Sequence, residues 1–112
     1  MTEAIMNVAT NNSLQCILAL NNLKSVYDPE IGLNVVDLGL IYRIEFFEER
    51  DLIEVDMTLT TRFCPMGESI FDNVNKVMKE TFATFSVNVN LVFEPPWKSE
   101  MISEEGREFL NG

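Results

Sequence analysis

The sequence predicts an α/β (α+β) two-layer sandwich: a small mixed sheet with its helices on one face, in the order α-β-β-α-β-α. Three observations carry this. Apolar residues recur at helical spacing in two stretches, around residues 13–26 and 65–80. They alternate with polar residues in three others, around 40–46, 53–60 and 87–93. The chain has 112 residues and is 46% hydrophobic, enough for one core and too short for two.

Residues 1–12 show no clear period and read as a leader, which leaves 13–112 as a single domain. Asn12 or Ser13 can cap a helix whose stripe is Leu14, Ile17, Leu20, Leu23 and Tyr27. Asp28-Pro29 stops it, because the residue before proline is pushed out of the helical region. Residues 28–39 then form a loop of turn formers and small side chains. Leu40, Tyr42, Ile44 and Phe46 mark a strand, and Glu48 to Asp51 a charged turn. Ile53, Val55, Met57 and Leu59 mark a second strand, antiparallel to the first. Pro65 suits the first position of a helix that buries Ile70, Val74, Val77 and Met78, with Phe71 beside them. A right-handed crossover makes the following strand, Val87 to Phe93, parallel to the second one. Pro95-Pro96 ends that strand, and Ser103 with Glu104 and Glu105 opens a short last helix.

Eighteen acids against eight bases give a net charge of −10. That argues against nucleic acid, whose binding rests on Lys and Arg meeting phosphates, and against an anionic membrane surface. No apolar run is long enough to span a bilayer, and the start lacks the pattern of a signal peptide. The expected location is the cytoplasm, with reduced thiols. There is no histidine, so imidazole bases, triads and imidazole metal ligands are excluded. With two cysteines, Cys16 and Cys64, one chain cannot make a four-thiolate site.

Cys64 is the leading candidate for chemistry. If the helix starts at Pro65, the Cys64 sulfur faces free backbone N–H groups and the positive end of the helix dipole, which favour a thiolate. Arg62 adds positive charge nearby. The ordinary fate of a free cysteine is burial as a small apolar residue, and this is the expectation for Cys16. A second group is Asp28, Glu30 and Asp37 with Thr60 and Thr61. The acids are either a helix stop and solvated loop charges or binding groups on a loop. The threonines either serve strand propensity or hydrogen-bond a carboxylate from the Asp28 loop near the sulfur. Trp97, the single tryptophan, is either a clamp on the core or a partner contact.

Six pieces then stand in order: Asp28-Pro29-Glu30-Ile31-Gly32, Val36-Asp37-Leu38-Gly39-Leu40-Ile41-Tyr42, Met57-Thr58-Leu59-Thr60-Thr61, Cys64-Pro65-Met66-Gly67, Pro95-Pro96-Trp97 and Met101-Ile102-Ser103. Together they resemble the SufT/PaaD-like family, domain of unknown function 59, from about residue 14 to the C-terminus. The resemblance implies an iron–sulfur cluster assembly-type α/β fold and an accessory role in iron–sulfur protein maturation. Its signature residues fall on Asp28, Glu30, Asp37, Thr60, Thr61 and Cys64. Two departures touch that region: Arg62 stands where many relatives have proline, and Lys98-Ser99 where they often have Thr-Pro. The cysteine-bearing C-terminal segment of PaaD-type proteins is missing, which lowers the alternative of a phenylacetyl-CoA oxygenase subunit.

The expected function is therefore an accessory factor that assists cluster assembly or transfer, and not an enzyme. Its expected partners are the iron–sulfur assembly machinery and client apoproteins, with a homodimer allowed. A cysteine-dependent enzyme of unknown substrate is the other alternative, weakened because an ordinary carboxylate is a poor base for a thiol. A cubane cluster usually takes four thiolates. One monomer offers Cys64 alone as cluster ligand at the site, so no stably bound cofactor is expected, only a transient or shared cluster.

Overall fold

A computed structural model describes residues 8–61 and 67–111. Its elements are β1 (Ala9–Thr10), α1 (Ser13–Leu23), β2 (Tyr27–Asp28), β3 (Leu33–Asn34), α2 (Val35–Leu38), β4 (Ile41–Phe47), β5 (Leu52–Met57), α3 (Gly67–Thr81), β6 (Ser86–Leu91) and α4 (Glu104–Asn111). The main sheet runs β1-β4-β5-β6, and β2 and β3 form a separate two-stranded ribbon. β4 and β5 are antiparallel, while β5 and β6 are parallel across the α3 crossover, so the sheet is mixed as expected.

Alternation along the strands sorts the two faces. Ile44, Phe46, Ile53, Val55, Met57 and Val89 are buried on the inner face. There they share one core with Cys16, Ala19, Leu20 and Leu23 of α1 and Ile70, Val74 and Met78 of α3. The outer face is polar and tied across strands. Arg43 Nε donates to Asp56 Oδ2 at 2.8 Å and its guanidinium also pairs with Glu45. Asn90 Nδ2 donates to Glu54 at 2.8 Å and to Asp56 at 3.1 Å, and Asn88 Nδ2 donates to Glu54 at 3.1 Å.

The Arg43 guanidinium, with help from the Asn90 amide, holds the Asp56 carboxyl below its ordinary value. A depressed carboxyl adds stability above its unfolded pKa of about 3.9, and that stability is lost as pH falls through the lower folded value. Arg43→Met is therefore expected to cost roughly 0.5–1 kcal/mol at neutral pH, a modest figure because both side chains are partly solvated. The gap between the wild-type and variant melting temperatures should close below about pH 3. A gap that persists there would assign the effect to packing.

Four expectations change. Ala9–Thr10, read as part of the leader, pairs parallel with Arg43 and Ile44 at the sheet edge. Next to it the Asn11 amide stands in for a strand residue: Nδ2 donates to Phe46 O at 2.8 Å and Oδ1 accepts the Phe46 N–H at 2.9 Å. Secondly, α1 ends at Leu23, before Asp28-Pro29. The Val35 N–H bonds Val26 O at 2.9 Å and draws the chain into β2, so Tyr27 leaves the helix and is exposed. The buried stripe is Cys16, Ala19, Leu20 and Leu23, and Leu14 is 81% exposed. Thirdly, the loop over 28–39 contains β3 and α2. Asn34 builds α2 by accepting the Val36 and Asp37 N–H groups at 3.0 and 2.9 Å. Gly39 ends it in the left-handed region, φ 81°. Lastly, β5 stops at Met57, where the Thr58 N–H, bonded to Leu40 O at 2.8 Å, closes the ladder of the Ile41–Met57 pair. The expected helix start at Pro65 lies outside the described residues.

Candidate functional site

The β2–β3 ribbon positions the first pair of candidate acids. Asp28 is 2% exposed, so it is not a solvated loop charge. Its Oδ1 accepts the Glu30 N–H at 2.9 Å, an Asx turn in which the carboxylate organises its own loop. Its carbonyl accepts the Gly32 N–H at 2.7 Å, and Gly32 takes a positive φ to reverse the chain. Pro29 and Glu30 are exposed at the tip. The motif thus sets a buried carboxylate beneath an exposed one.

Asp37 is the next candidate and is buried in α2. Its Oδ2 accepts from Asn34 Nδ2 at 2.7 Å, and its Oδ1 accepts from Ser103 Oγ at 2.8 Å. The Ser103 N–H also donates to Asp37 O at 2.7 Å, while the Ser103 hydroxyl accepts the Gly106 N–H at 3.0 Å and so caps α4. Both carboxylate oxygens are therefore engaged with neutral donors. This geometry gives Asp37 a positioning part: it locks α2 to the C-terminal segment.

Trp97 joins the same lock. It is half-buried against the core, and its Nε1–H donates to Leu38 O at 2.7 Å. Tyr42 Oη donates to Pro95 O at 2.9 Å, and burial pushes its phenol up, opposed by a hydrogen bond with Thr58. Residues 95–103 thus clamp the 37–42 corner. Trp97→Phe is expected to cost roughly 1–2 kcal/mol, from the lost bond and the carbonyl left behind. Urea unfolding followed by circular dichroism would measure it, since the variant has no tryptophan to report. A variant as stable as the parent would place the indole outside the clamp.

Chain topology brings further candidates to this end of the sheet. Ile41 pairs with Met57, and Met57 with Leu91, so the start of β4 and the ends of β5 and β6 lie together. Thr60 is half-buried and Thr61 exposed just past β5. α3 begins at Gly67. Cys64, together with Arg62 and Pro65, lies outside the described residues. Cys16 is fully buried in the core, and burial pushes its thiol up, against a hydrogen bond from Thr10. Among the described residues no three of Cys, Asp and Glu converge on a metal-sized site. Asp28, Glu30 and Asp37 therefore do not form a carboxylate cage of their own.

Asn34 and Ser103 are the residues that sequence reasoning missed as parts of this arrangement. Their signals were present: Asn34 stands three residues before Asp37, and Ser103 three before Gly106, the spacing of a helix N-cap and the N–H it binds. Which carboxylate they would serve was not written in that spacing.

The two-layer α/β fold with a mixed sheet has counterparts among solved structures. A crystal structure of a domain of unknown function, DUF59, from Bacillus anthracis matches it with TM-score 0.79 and 31% identity, over 89% of this chain and 98% of that one. A conserved hypothetical protein from Thermotoga maritima matches with TM-score 0.70 and 39% identity, over 84% of this chain and 91% of that one. The family model described as "Iron-sulfur cluster assembly protein" matches residues 19–91, and the chain belongs to this family. Among curated relatives, the Fe-S protein maturation auxiliary factor SufT of Staphylococcus aureus is 44% identical over 78 residues, 70% of this chain and 88% of that protein. An Fe-S protein maturation auxiliary factor of Porphyromonas gingivalis is 41% identical over 83 residues, 74% of this chain and 78% of that protein. No helix among the described residues is long and apolar enough to cross a membrane.

Proposed function

We propose that this protein is an accessory factor in iron–sulfur protein maturation, acting in the cytoplasm through contacts with the assembly machinery and client apoproteins. The observation that carries this is the 44% identity to a SufT that spans 88% of that protein's length. The role is one of assistance to cluster assembly or transfer, without catalysis of its own. A sequence with no histidine supports that part, since its carboxylates are weak bases for a thiol. The cluster is cargo. Oxygen ligands are poor partners for its iron, and the one described thiol, Cys16, is sealed in the core. Cys64 is the thiol proposed to meet the cargo, transiently, with other ligands supplied by a partner, a small thiol or a second copy. The buried Asp28 and the exposed Glu30 shape the loop proposed to work beside it.

The test is complementation of a deletion strain with wild type and Cys64→Ala. Cys64→Ala should melt like the parent yet lose most of the support that iron–sulfur enzymes receive, read as their activity in extracts. A folded variant that complements fully would remove Cys64 from the mechanism. Failure of the wild type itself to restore those enzymes would overturn the maturation role.

A further inference from the structure

The two edges of the main sheet are treated in opposite ways. At one, β1 and the Asn11 amide cover β4. At the other, β6 pairs with β5 alone among the described residues. The Ser86 N–H bonds Asp51 O and the Val92 N–H bonds Met57 O, so even-numbered residues of β6 face β5. By the parity of a parallel ladder, the backbone groups of Val87, Val89 and Leu91 point outward. Among the described residues they have no backbone partner.

Proteins commonly guard such an edge with lysine, proline, a bulge or a covering element. Ser86–Leu91 has no lysine, proline or bulge, and none of the described residues covers its outer edge. Ser86–Leu91 carries no charge in a chain of net charge −10, and its register against β5 is unbroken. Its side chains are sorted by face. Val89 is buried, Val87 half-buried and Leu91 41% exposed, with Leu91 beside Phe71 and Leu59 in a shallow depression. Asn88 and Asn90 lie on the outer face, bonded to Glu54 and Asp56.

We infer that β6 is a homodimer edge, on which a second copy of this chain adds its own β6 antiparallel about a two-fold axis at Val89. The sequence is self-complementary in that register. Val89 meets its equivalent, Val87 meets Leu91, and each such pair exchanges two backbone bonds. The inner face stays apolar across the axis, while Asn88 meets Asn90 on the outer face. Charge selects the same site: two chains of like net charge repel, and an uncharged strand lets them approach with the least penalty. An extended segment of an unrelated protein would find the same backbone groups, and a second copy supplies in addition a side-chain order that matches on both faces.

Sedimentation equilibrium of the full chain, with reductant present, tests the proposal. The expected result is a concentration-dependent dimer that tightens as salt rises from about 0.05 to 0.5 M, because screening weakens the repulsion between copies. Leu91→Lys should weaken it by about tenfold or more. Val87→Pro should do the same, since it removes an outward N–H and leaves the β5 ladder whole. Leu14→Lys, at an exposed site on α1, should leave the dimer unchanged. Circular dichroism checks that each variant is folded, and if one edge variant fails to fold the other decides. A protein that stays monomeric at the highest salt and concentration would overturn the inference. So would a dimer that loosens with salt, is indifferent to the folded edge variants, or responds equally to Leu14→Lys.

Discussion

Gly39→Ala is expected to be the most damaging single methyl in the described part of the protein. Gly39 has φ 81°, and a Cβ there would lie 2.9 Å from Met101 Cβ and 3.0 Å from Met101 C, besides touching Met101 O. Two penalties add. The left-handed backbone costs a non-glycine residue roughly 1–3 kcal/mol, and overpacking costs about the same again. The Met101 backbone cannot swing aside as a flexible side-chain end would. A loss of roughly 2–6 kcal/mol set against a total stability of about 5–15 kcal/mol would leave the variant partly unfolded at body temperature. Gly32→Ala is the control. It has the same φ of 81° but nothing within 4 Å, so it should show the conformational part alone. Thermal melts of both variants would separate the terms, and equal losses would refute the close approach of Met101.

Asp37→Ala carries the second large effect. It removes the acceptor for both Asn34 Nδ2 and Ser103 Oγ in a buried setting. A buried donor left unmade costs about 1–3 kcal/mol, so a loss of roughly 2–4 kcal/mol is expected. The loss should concentrate at α4: exchange of the Gly106 and Arg107 amides, which bond Ser103, should speed more than exchange in β5. Ser103→Ala breaks part of the same network, so the double variant should lose less than the sum. Strict additivity would mean that the two residues act independently.

Much of this fold could be read from the chain because its strands alternate cleanly. Ile53, Val55 and Met57 against Glu54 and Asp56 defined a face before any coordinates did, and a crossover rule then set β6 parallel to β5. The ribbon and α2 were not legible. They are held by Asn34, Gly39, the bond from Val35 to Val26 and the distant bonds from Ser103 and Trp97, and short elements of this kind carry no period. The stripe of α1 differs for a related reason: Leu14 and Tyr27 fit the helical spacing, but the ribbon takes Tyr27, and the buried face of the helix runs through Cys16, Ala19, Leu20 and Leu23, with Leu14 exposed. At the candidate site, spacing grouped Asp28, Glu30 and Asp37 as one set of acids. Packing separates them, with Asp28 folding its own turn and Asp37 bound to Ser103. Local sequence shows which side chains can bond, while distant partners decide which bonds form.

The bond from Ser103 to Asp37 spans 66 residues of chain, and that from Trp97 to Leu38 spans 59. During synthesis at about 5–20 residues per second, the corner at Asp37 is made roughly 3–13 s before the residue that fastens it. Through that interval the Asp37 carboxylate lacks the Ser103 hydroxyl that it binds in the folded protein. The early-made segment that carries the Asp28 turn is thus fastened by late-made residues, and newly made protein should pass from a loose to a set form in one late step.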